Sequence, residues 1–366
     1  MNNEELLAVL RLQATKNIGD IISKKLINHF NSPSEIFEAK RSSLFKIDGI
    51  GAFIVNQLLD TSNIEKAENE FEYIQKNNIA YTYFLDDDYP ERLKHCIDAP
   101  ILIFKDGNIN LKDQKIISIV GTRNITSYGR EFCENLITDL ATYNPVIVSG
   151  FAYGVDICAH KAATKNNLQT LGVFAHGLDI VYPKVHKKYM APILENGGFM
   201  TEFWHNENPL RENFLRRNRI VAGISQATII VESGAKGGSL VTAGIANSYN
   251  KDVFALPGRT NDVYSKGCNK LIKNNQAHVL TSAEDIITML NWDVPEQKTI
   301  IAQTQLFVQL DDNEQKVFDY LQKNGKQMLD VIAIDCEIPG YQLSSILMQM
   351  ELKGVIKPHP GKIFAV

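Results

Sequence analysis

Between residue 113 and about residue 290 the chain alternates short, continuous apolar runs with longer amphipathic stretches. The runs Ile116–Val120, Val146–Val148, Leu171–Phe174, Thr228–Val231 and Val253–Leu256 are rich in β-branched residues. Apolar residues at consecutive positions belong to strands buried on both faces, and helical segments between them predict a parallel, doubly wound sheet. Such a sheet places ligands at the carboxyl ends of its strands.

The first 60 residues follow a helical period instead, with turns at Asn17-Ile18-Gly19 and Ile47-Asp48-Gly49-Ile50-Gly51. These predict two helical hairpins. In the second, a Gly-x-Gly turn ahead of a helix from Ala52 to Leu59 can offer backbone N–H groups to a phosphate, and it serves equally to let two helices pack closely. Residues 61–112 read as a glutamate-rich helix from Ile64 to Lys76, followed by strands from Ala80 to Leu85 and from Ile101 to Phe104. The intervening Asp86-Asp87-Asp88 reads as a solvated turn, because adjacent carboxylates rarely converge on one ion. After Trp292, the stretch Val294–Gln309 lacks periodicity and reads as a linker. Two short helices, a third from Tyr341 to Leu352, and strands around Val355-Ile356 and Ile363-Phe364 then give the order of a winged helix. The expected division is a helical module over 1–62, an extended sheet domain over 63–290 with its core at 113–290, a linker over 291–310 and a winged helix over 311–366.

Composition narrows the class. With 44% hydrophobic and 22% charged residues among 366, the chain matches a soluble globular protein, and no run of about eighteen uncharged apolar residues could span a bilayer. Glu4 and Glu5 precede the first apolar stretch, the wrong order for a secretory signal, so the expected location is the cytoplasm. Five scattered cysteines without a C-x-x-C pair predict buried, reduced thiols and no zinc site. The net charge of −4, taken whole, speaks against a nucleic-acid partner. Its distribution reverses that inference. Residues 205–275 carry ten Lys and Arg against five Asp and Glu, whereas 61–112 carry six against ten and 291–366 seven against ten.

The basic residues cluster on loops at the carboxyl edge of the sheet. The first strand runs into Gly121-Thr122-Arg123, where a glycine lets backbone approach a phosphate and Arg123 adds a planar cationic fork. A G-x-G-x-x-G fingerprint is absent, which argues against a tight dinucleotide site. The second strand ends in Ser149-Gly150, with Asp156 placed to cap a helix and His160 one turn further on. Without a G-x-S-x-G elbow, Asp156 and His160 are expected to form a structural pair rather than part of a triad with Ser149. The segment Phe214-Leu215-Arg216-Arg217-Asn218-Arg219 is the strongest local signal. An aromatic beside clustered arginines fits a single-strand groove, in which a ring stacks on a base for about 1–3 kcal/mol and cations hold phosphates. One of Arg217 and Arg219 is expected to pair with an internal carboxylate such as Glu202 or Glu232. A further turn, Ser233-Gly234-Ala235-Lys236-Gly237-Gly238-Ser239, makes an anion cradle without the order of a P-loop.

The ordered motifs VGTR, SGFAYGVDICAH, GLDIVYP, FLRRNRI, GGSLVTA, VFALPG and SKGCNKLI resemble those of the DNA-processing protein A (DprA, also called Smf) family, and the resemblance spans essentially the whole chain. It implies a Rossmann-like doubly wound sheet with an N-terminal helix-hairpin-helix (SAM-like) module and a C-terminal winged helix. It implies a cytoplasmic, non-enzymatic protein, without metal or cofactor and not bound to membrane. Its implied partners are single-stranded DNA, which it protects, the RecA recombinase, which it loads during natural transformation, and a second copy of itself. The implied DNA-binding residues are Gly121, Thr122, Arg123, Gly150, Arg211, Phe214, Arg217, Asn218, Arg219, Lys236, Gly238, Ser239, Lys266, Asn269 and Lys270. Gly237 departs from the family's usual serine, and Asn275-Gln276 from its usual Gly-Ala. The third helix of the winged module lacks a cation before Lys353, which favours protein contact over major-groove reading.

Two alternatives share the sheet. A nucleoside-phosphate glycosidase of the lysine-decarboxylase-like type would carry acidic residues after the threonine of its glycine turn, and here Ala243-Gly244 follow Thr242. A Rossmann-like sensor of a small nucleotide would use the same cations as a DNA groove.

Overall fold

The computed structural model describes residues 1–292, 310–359 and 361–366. It divides into two compact units, Met1–Pro295 and Glu296–Val366. The linker expected over 291–310 falls, apart from Asn291, Trp292 and Leu310, outside the described residues.

The first unit opens with α1 (Asn3–Ala14), α2 (Asp20–Phe30), α3 (Pro33–Glu38), α4 (Arg41–Leu44), α5 (Ala52–Leu58) and α6 (Ser62–Asn77). The glycine turns join α1 to α2 and α4 to α5, and Gly49 holds a φ of 77° that a side chain would resist. Leu6, Val9, Leu26 and Ile27 bury in one apolar cluster with Ile101–Phe104 and with Leu171 and Val173 of the sheet. The N-terminal helices thus share their core with the sheet.

That sheet contains β1 (Ala80–Tyr83), β2 (Leu102–Gly107), β3 (Ile116–Val120), β4 (Val146–Ser149), β5 (Thr170–Val173), β6 (Gly197–Thr201), β7 (Ala227–Ile230), β8 (Asp252–Ala255) and β9 (His278–Val279). Their spatial order is β1-β2-β6-β5-β4-β3-β7-β8-β9. From β6 to β9 the pairing is parallel, with Ile117 opposite both Ile147 and Ala227. The β1–β2 and β2–β6 pairs are antiparallel, so the sheet is mixed at one edge rather than parallel throughout. The sequence pattern does not announce β6 because it starts at Gly197-Gly198. A Cβ at Gly197 would lie 2.9 Å from the Thr170 amide nitrogen, and one at Gly198 the same distance from Ile109, so close packing demands residues without β-propensity.

Between the strands lie α7 (Glu91–Lys94), α8 (Ser127–Leu140), α9 (Val155–Lys165), α10 (Met190–Glu195), α11 (Arg211–Ile224), α12 (Gly238–Ser248), α13 (Lys266–Lys273) and α14 (Ala283–Met289). Alternate residues of β3 point to opposite sides: Ile117 and Ile119 pack with α8, α9 and α14, and Ile116 and Val120 belong to the cluster holding α11, α12 and α13. Strand order reverses between β3 and β7. The two strands are neighbours here although far apart in sequence, and this switch point opens a crevice at their carboxyl ends.

The second unit contains α15 (Asp312–Asn324), β10 (Gln327–Met328), α16 (Leu329–Asp335), α17 (Gly340–Leu352), β11 (Lys357–His359) and β12 (Ile363–Ala365), with strand order β10-β12-β11. It is a winged helix around Val317, Leu321, Ile332, Leu343, Leu347 and Met350. Asp311 and Glu314 form a capping box on α15, and the buried Glu314 carboxylate takes Lys353 at 2.6 Å. Among the described residues no helix is long and apolar enough to cross a membrane.

Candidate nucleic-acid interface

At the switch point lies a cleft of about 870 Å³. Its walls are Gly121, Thr122 and Arg123 after β3, Ala152 and Asp156 after β4, Arg211, Phe214, Arg217 and Asn218 of α11, and the turn from Ser233 into α12. Half-buried Phe214 is the hub. The guanidinium carbon of exposed Arg123 lies 5.3 Å from its ring centroid and that of Arg217 lies 6.0 Å away. Tyr182 meets the same ring edge-on at 5.8 Å. Arg211 and Lys236 are exposed and approach the cleft from two other elements.

Arg217 plays a different part. It is only 5% exposed; Nη1 donates to the Gly150 carbonyl at 2.8 Å and to the Val173 carbonyl, and Nε donates to Asn218 Oδ1 at 3.3 Å. Burial pushes its guanidinium down to about 10, with buried Asp156 opposing the shift, so it stays cationic at neutral pH. Burial likewise raises the Asp156 carboxyl, against the pull of Arg217. Gly150 is a glycine because a Cβ would sit 2.5 Å from Arg217 Nη1. The missing Cβ admits the guanidinium.

Gly121 obeys the same logic. A Cβ there would come within 2.9 Å of both the Glu232 carbonyl and Val155 Cβ, so the close approach that the sequence reads as phosphate access is occupied by protein. On the other wall, α12 opens without a side-chain cap, and its uncapped N-terminus lies at the cleft. Ser239 spends its hydroxyl hydrogen on Ser233 Oγ at 2.9 Å, leaving Ala235, Lys236 and Gly238 as the exposed members of the cradle. At Gly237 a Cβ would lie 2.5 Å from Ser233 Oγ, so the departure from serine fits its neighbour.

Some residues implied by the motifs are not brought into the cleft. Arg219 turns away and binds Glu202 at 2.5 Å, Asp20 at 3.1 Å and the Asp98 carbonyl. It ties the N-terminal helices to the sheet. Arg216 reaches the same Glu202 carboxylate at 2.9 Å. Glu202 is therefore an internal partner, whereas Glu232 accepts from the Thr126 amide and hydroxyl at 2.8 and 2.6 Å and anchors the start of α8. Lys266, Asn269 and Lys270 lie on α13, outside the cleft wall. The Asn269 side chain clamps Gly258, accepting from its amide at 3.1 Å and donating to its carbonyl at 2.9 Å.

The expected Asp156–His160 pair does not form. His160 is fully buried and its Nδ1 meets Thr170 Oγ1 at 2.7 Å, while Asp156 accepts from the Ala152 amide at 3.3 Å. Burial drives the imidazole down to about 3, so at neutral pH it carries no charge for a carboxylate to pair with. Ser149 donates to the Ile119 carbonyl at 2.6 Å, and no Ser/His/Asp relay is assembled. Tyr182 and Tyr264 are residues of the site that sequence reasoning missed. The only signal for Tyr182 is a tyrosine just after the apolar Ile180-Val181 in the GLDIVYP motif. Among the described residues no group of three or more His, Cys, Asp or Glu side chains is placed to hold a metal.

Comparison with known proteins matches residues 80–291 to DNA recombination-mediator protein A and residues 301–362 to the DprA winged helix domain. Protein Smf of Escherichia coli (strain K12) is 35% identical over 286 residues, spanning 75% of this chain and 74% of the relative. The X-ray structure of DNA processing protein A from Streptococcus pneumoniae superposes with a TM-score of 0.64 at 29% identity, covering 79% of this chain and 98% of that one. A Helicobacter pylori DNA processing protein A structure, described for its single-stranded DNA binding mode, gives a TM-score of 0.52 at 32% identity over 58% of this chain and 95% of that one. With a family match over more than half its length, a mostly parallel sheet and a winged helix behind it, the chain belongs to the DNA-processing protein A (DprA/Smf) family.

Proposed function

We propose that this chain binds single-stranded DNA in the switch-point cleft, a base stacking at Phe214 and phosphates meeting Arg123, Arg211 and Lys236. The observation that carries the reading is the Arg123 guanidinium poised 5.3 Å from a half-buried aromatic ring at the mouth of a basic crevice. Stacking is indifferent to base identity, and cations spaced around a ring suit a strand whose bases are unpaired. The single-strand binding described for the Helicobacter pylori relative supports the same reading. In this reading the site binds and does not cleave.

The wider role we attach to it follows the family: protecting an incoming strand and loading RecA onto it in transformation and recombination, as a homodimer in the cytoplasm. The winged helix serves as a protein contact. Its Lys353 is engaged by Glu314, and Tyr341, Met348 and Leu352 of α17 are exposed, a composition poor for phosphates.

Fluorescence anisotropy with oligothymidylate across a salt series tests the reading. Each phosphate held contributes a slope of about −0.7 in log K against log salt. A strand held by three exposed cations should give a steep slope that Arg123→Ala flattens while weakening binding. A mononucleotide bound as tightly as the strand, with a shallow slope for both, would replace DNA with a small nucleotide as the ligand.

A further inference from the structure

The cleft has an exit. The loop between β4 and α9 contributes Ala152 to the cleft wall and the first turn of α9 contributes Asp156, their junction pinned by the Val155 amide donating to the Thr122 carbonyl at 3.1 Å. Between those two wall residues Tyr153 turns outward, 45% exposed. Its ring meets that of His186 at 5.0 Å, and His186 in turn meets Tyr189 at 5.9 Å. Two ammonium groups sit near the Tyr189 ring, Lys188 at 5.1 Å and Lys161 at 5.7 Å. His186, Tyr189, Lys161, Lys188 and Arg130 line a hollow of about 220 Å³, and exposed Lys187 lies between His186 and Lys188 in the chain. Among the described residues none of Arg130, Lys161, Lys187 and Lys188 is held in an ion pair. The nearby acid, Glu134, points its Oε1 at Cys158 Sγ at 3.9 Å.

We infer that single-stranded DNA leaving the cleft continues over Tyr153 onto the platform of Lys161, Lys187 and Lys188, so that the binding path has two segments. The inference rests on the reading of the cleft as a single-strand site. Three features argue for a strand over another anionic ligand. The platform adjoins the cleft wall through one loop. It repeats the cleft's chemistry, a half-buried ring beside exposed cations, Tyr189 here and Phe214 there. And its lysines are exposed, within reach of a backbone running across it.

The prediction concerns length. In the full chain, affinity for oligothymidylates from about 4 to about 16 nucleotides, a range that single-strand domains cover, should rise as the strand reaches the platform. The triple variant Lys161→Ala, Lys187→Ala, Lys188→Ala should bind the shortest oligomer as the parent does. It should lose about tenfold or more on the longest, and the salt slope for that oligomer should fall by about 2, at about 0.7 for each of three phosphates released. Tyr153→Ala should behave alike in affinity, with little change of slope. Circular dichroism of each variant verifies folding, and all four positions are exposed. Parental affinity at every length in the triple variant, while Arg123→Ala still weakens binding, would overturn the platform and leave the cleft standing. An equal loss at all lengths would also overturn it, since the lysines would then act as a diffuse field. Absence of oligothymidylate binding by the parent, or an Arg123→Ala variant indistinguishable from it, would remove the cleft reading and the platform with it.

Discussion

Arg217 and Arg123 flank the same ring, yet their substitutions should fail in opposite ways. Arg217→Ala strips donors from the Gly150 and Val173 carbonyls and removes the positive charge near buried Asp156. Each unsatisfied buried acceptor costs about 1–3 kcal/mol, and two are left here, while the Asp156 carboxyl loses a nearby positive charge besides. These contributions overlap at one guanidinium, so a net loss of about 3–5 kcal/mol is expected, a large part of a typical domain's stability. Arg123 is exposed, and Arg123→Ala should change stability by no more than about 0.5 kcal/mol while reducing DNA affinity. Urea denaturation followed by tryptophan fluorescence makes the comparison, because Trp204 and Trp292, the two tryptophans of the chain, both lie in the unit Met1–Pro295. A lower midpoint at unchanged slope marks lost stability. An Arg217→Ala protein that unfolds at the same urea concentration as Arg123→Ala, and is impaired only in binding, would refute the assignment of Arg217 to the scaffold.

Two further outcomes follow from buried charge. The His160 imidazole, pushed by burial from its usual 6.5 to about 3, leaves the unfolded chain binding more protons between those values, so stability rises with pH across that window. Lowering the pH from about 7.5 to about 5.5 should therefore cost about 1.4 kcal/mol from this residue, with His176 and His186, also lowered by burial, adding in the same direction. Urea midpoints at the two pH values should differ less in His160→Asn, and an undiminished difference would assign the effect elsewhere. Separately, Arg219→Met leaves the Glu202 carboxylate, 2% exposed, with only Arg216 as a cationic partner, and cuts the tie to Asp20 on α2. A loss of about 3–5 kcal/mol and faster proteolysis among the N-terminal helices are expected, against less than about 1 kcal/mol for the more exposed Arg216→Ala.

The parallel core and its switch point were legible because consecutive β-branched residues have few other structural uses. Two other strands were not. β6 begins with two glycines forced by the approach of Thr170 and Ile109, and β9 is two residues long, so neither carries a pattern. The arginine cluster was visible as a cluster but not as a division of labour. Successive helical residues turn by about 100°. Arg216, Arg217 and Arg219 on one helix therefore cannot share a target: one faces the cleft floor, and two converge on a carboxylate supplied by the end of β6. The glycines have a structural reason that the motif does not announce. At Gly121 and Gly150 the missing Cβ makes room for protein atoms, which a motif cannot distinguish from room for a phosphate.

That packing bears on how an acidic chain can hold an anionic strand. The net charge of −4 is a sum over surfaces that do not feel one another, since salt at physiological strength screens exposed charges beyond about 8–10 Å. In the proposed site, what a strand would meet is local: Arg123, Arg211 and Lys236 exposed around Phe214, above a guanidinium whose positive charge burial has not extinguished. Arg217 is fixed by two carbonyls and by Asn218 before any ligand arrives, so its field comes without the side-chain entropy that ordering a surface arginine costs. The three exposed cations must still be ordered by the strand. Most of the salt dependence therefore belongs to them, and the buried arginine contributes a salt-insensitive remainder, because a charge sealed under the ring is screened far less than one in solvent.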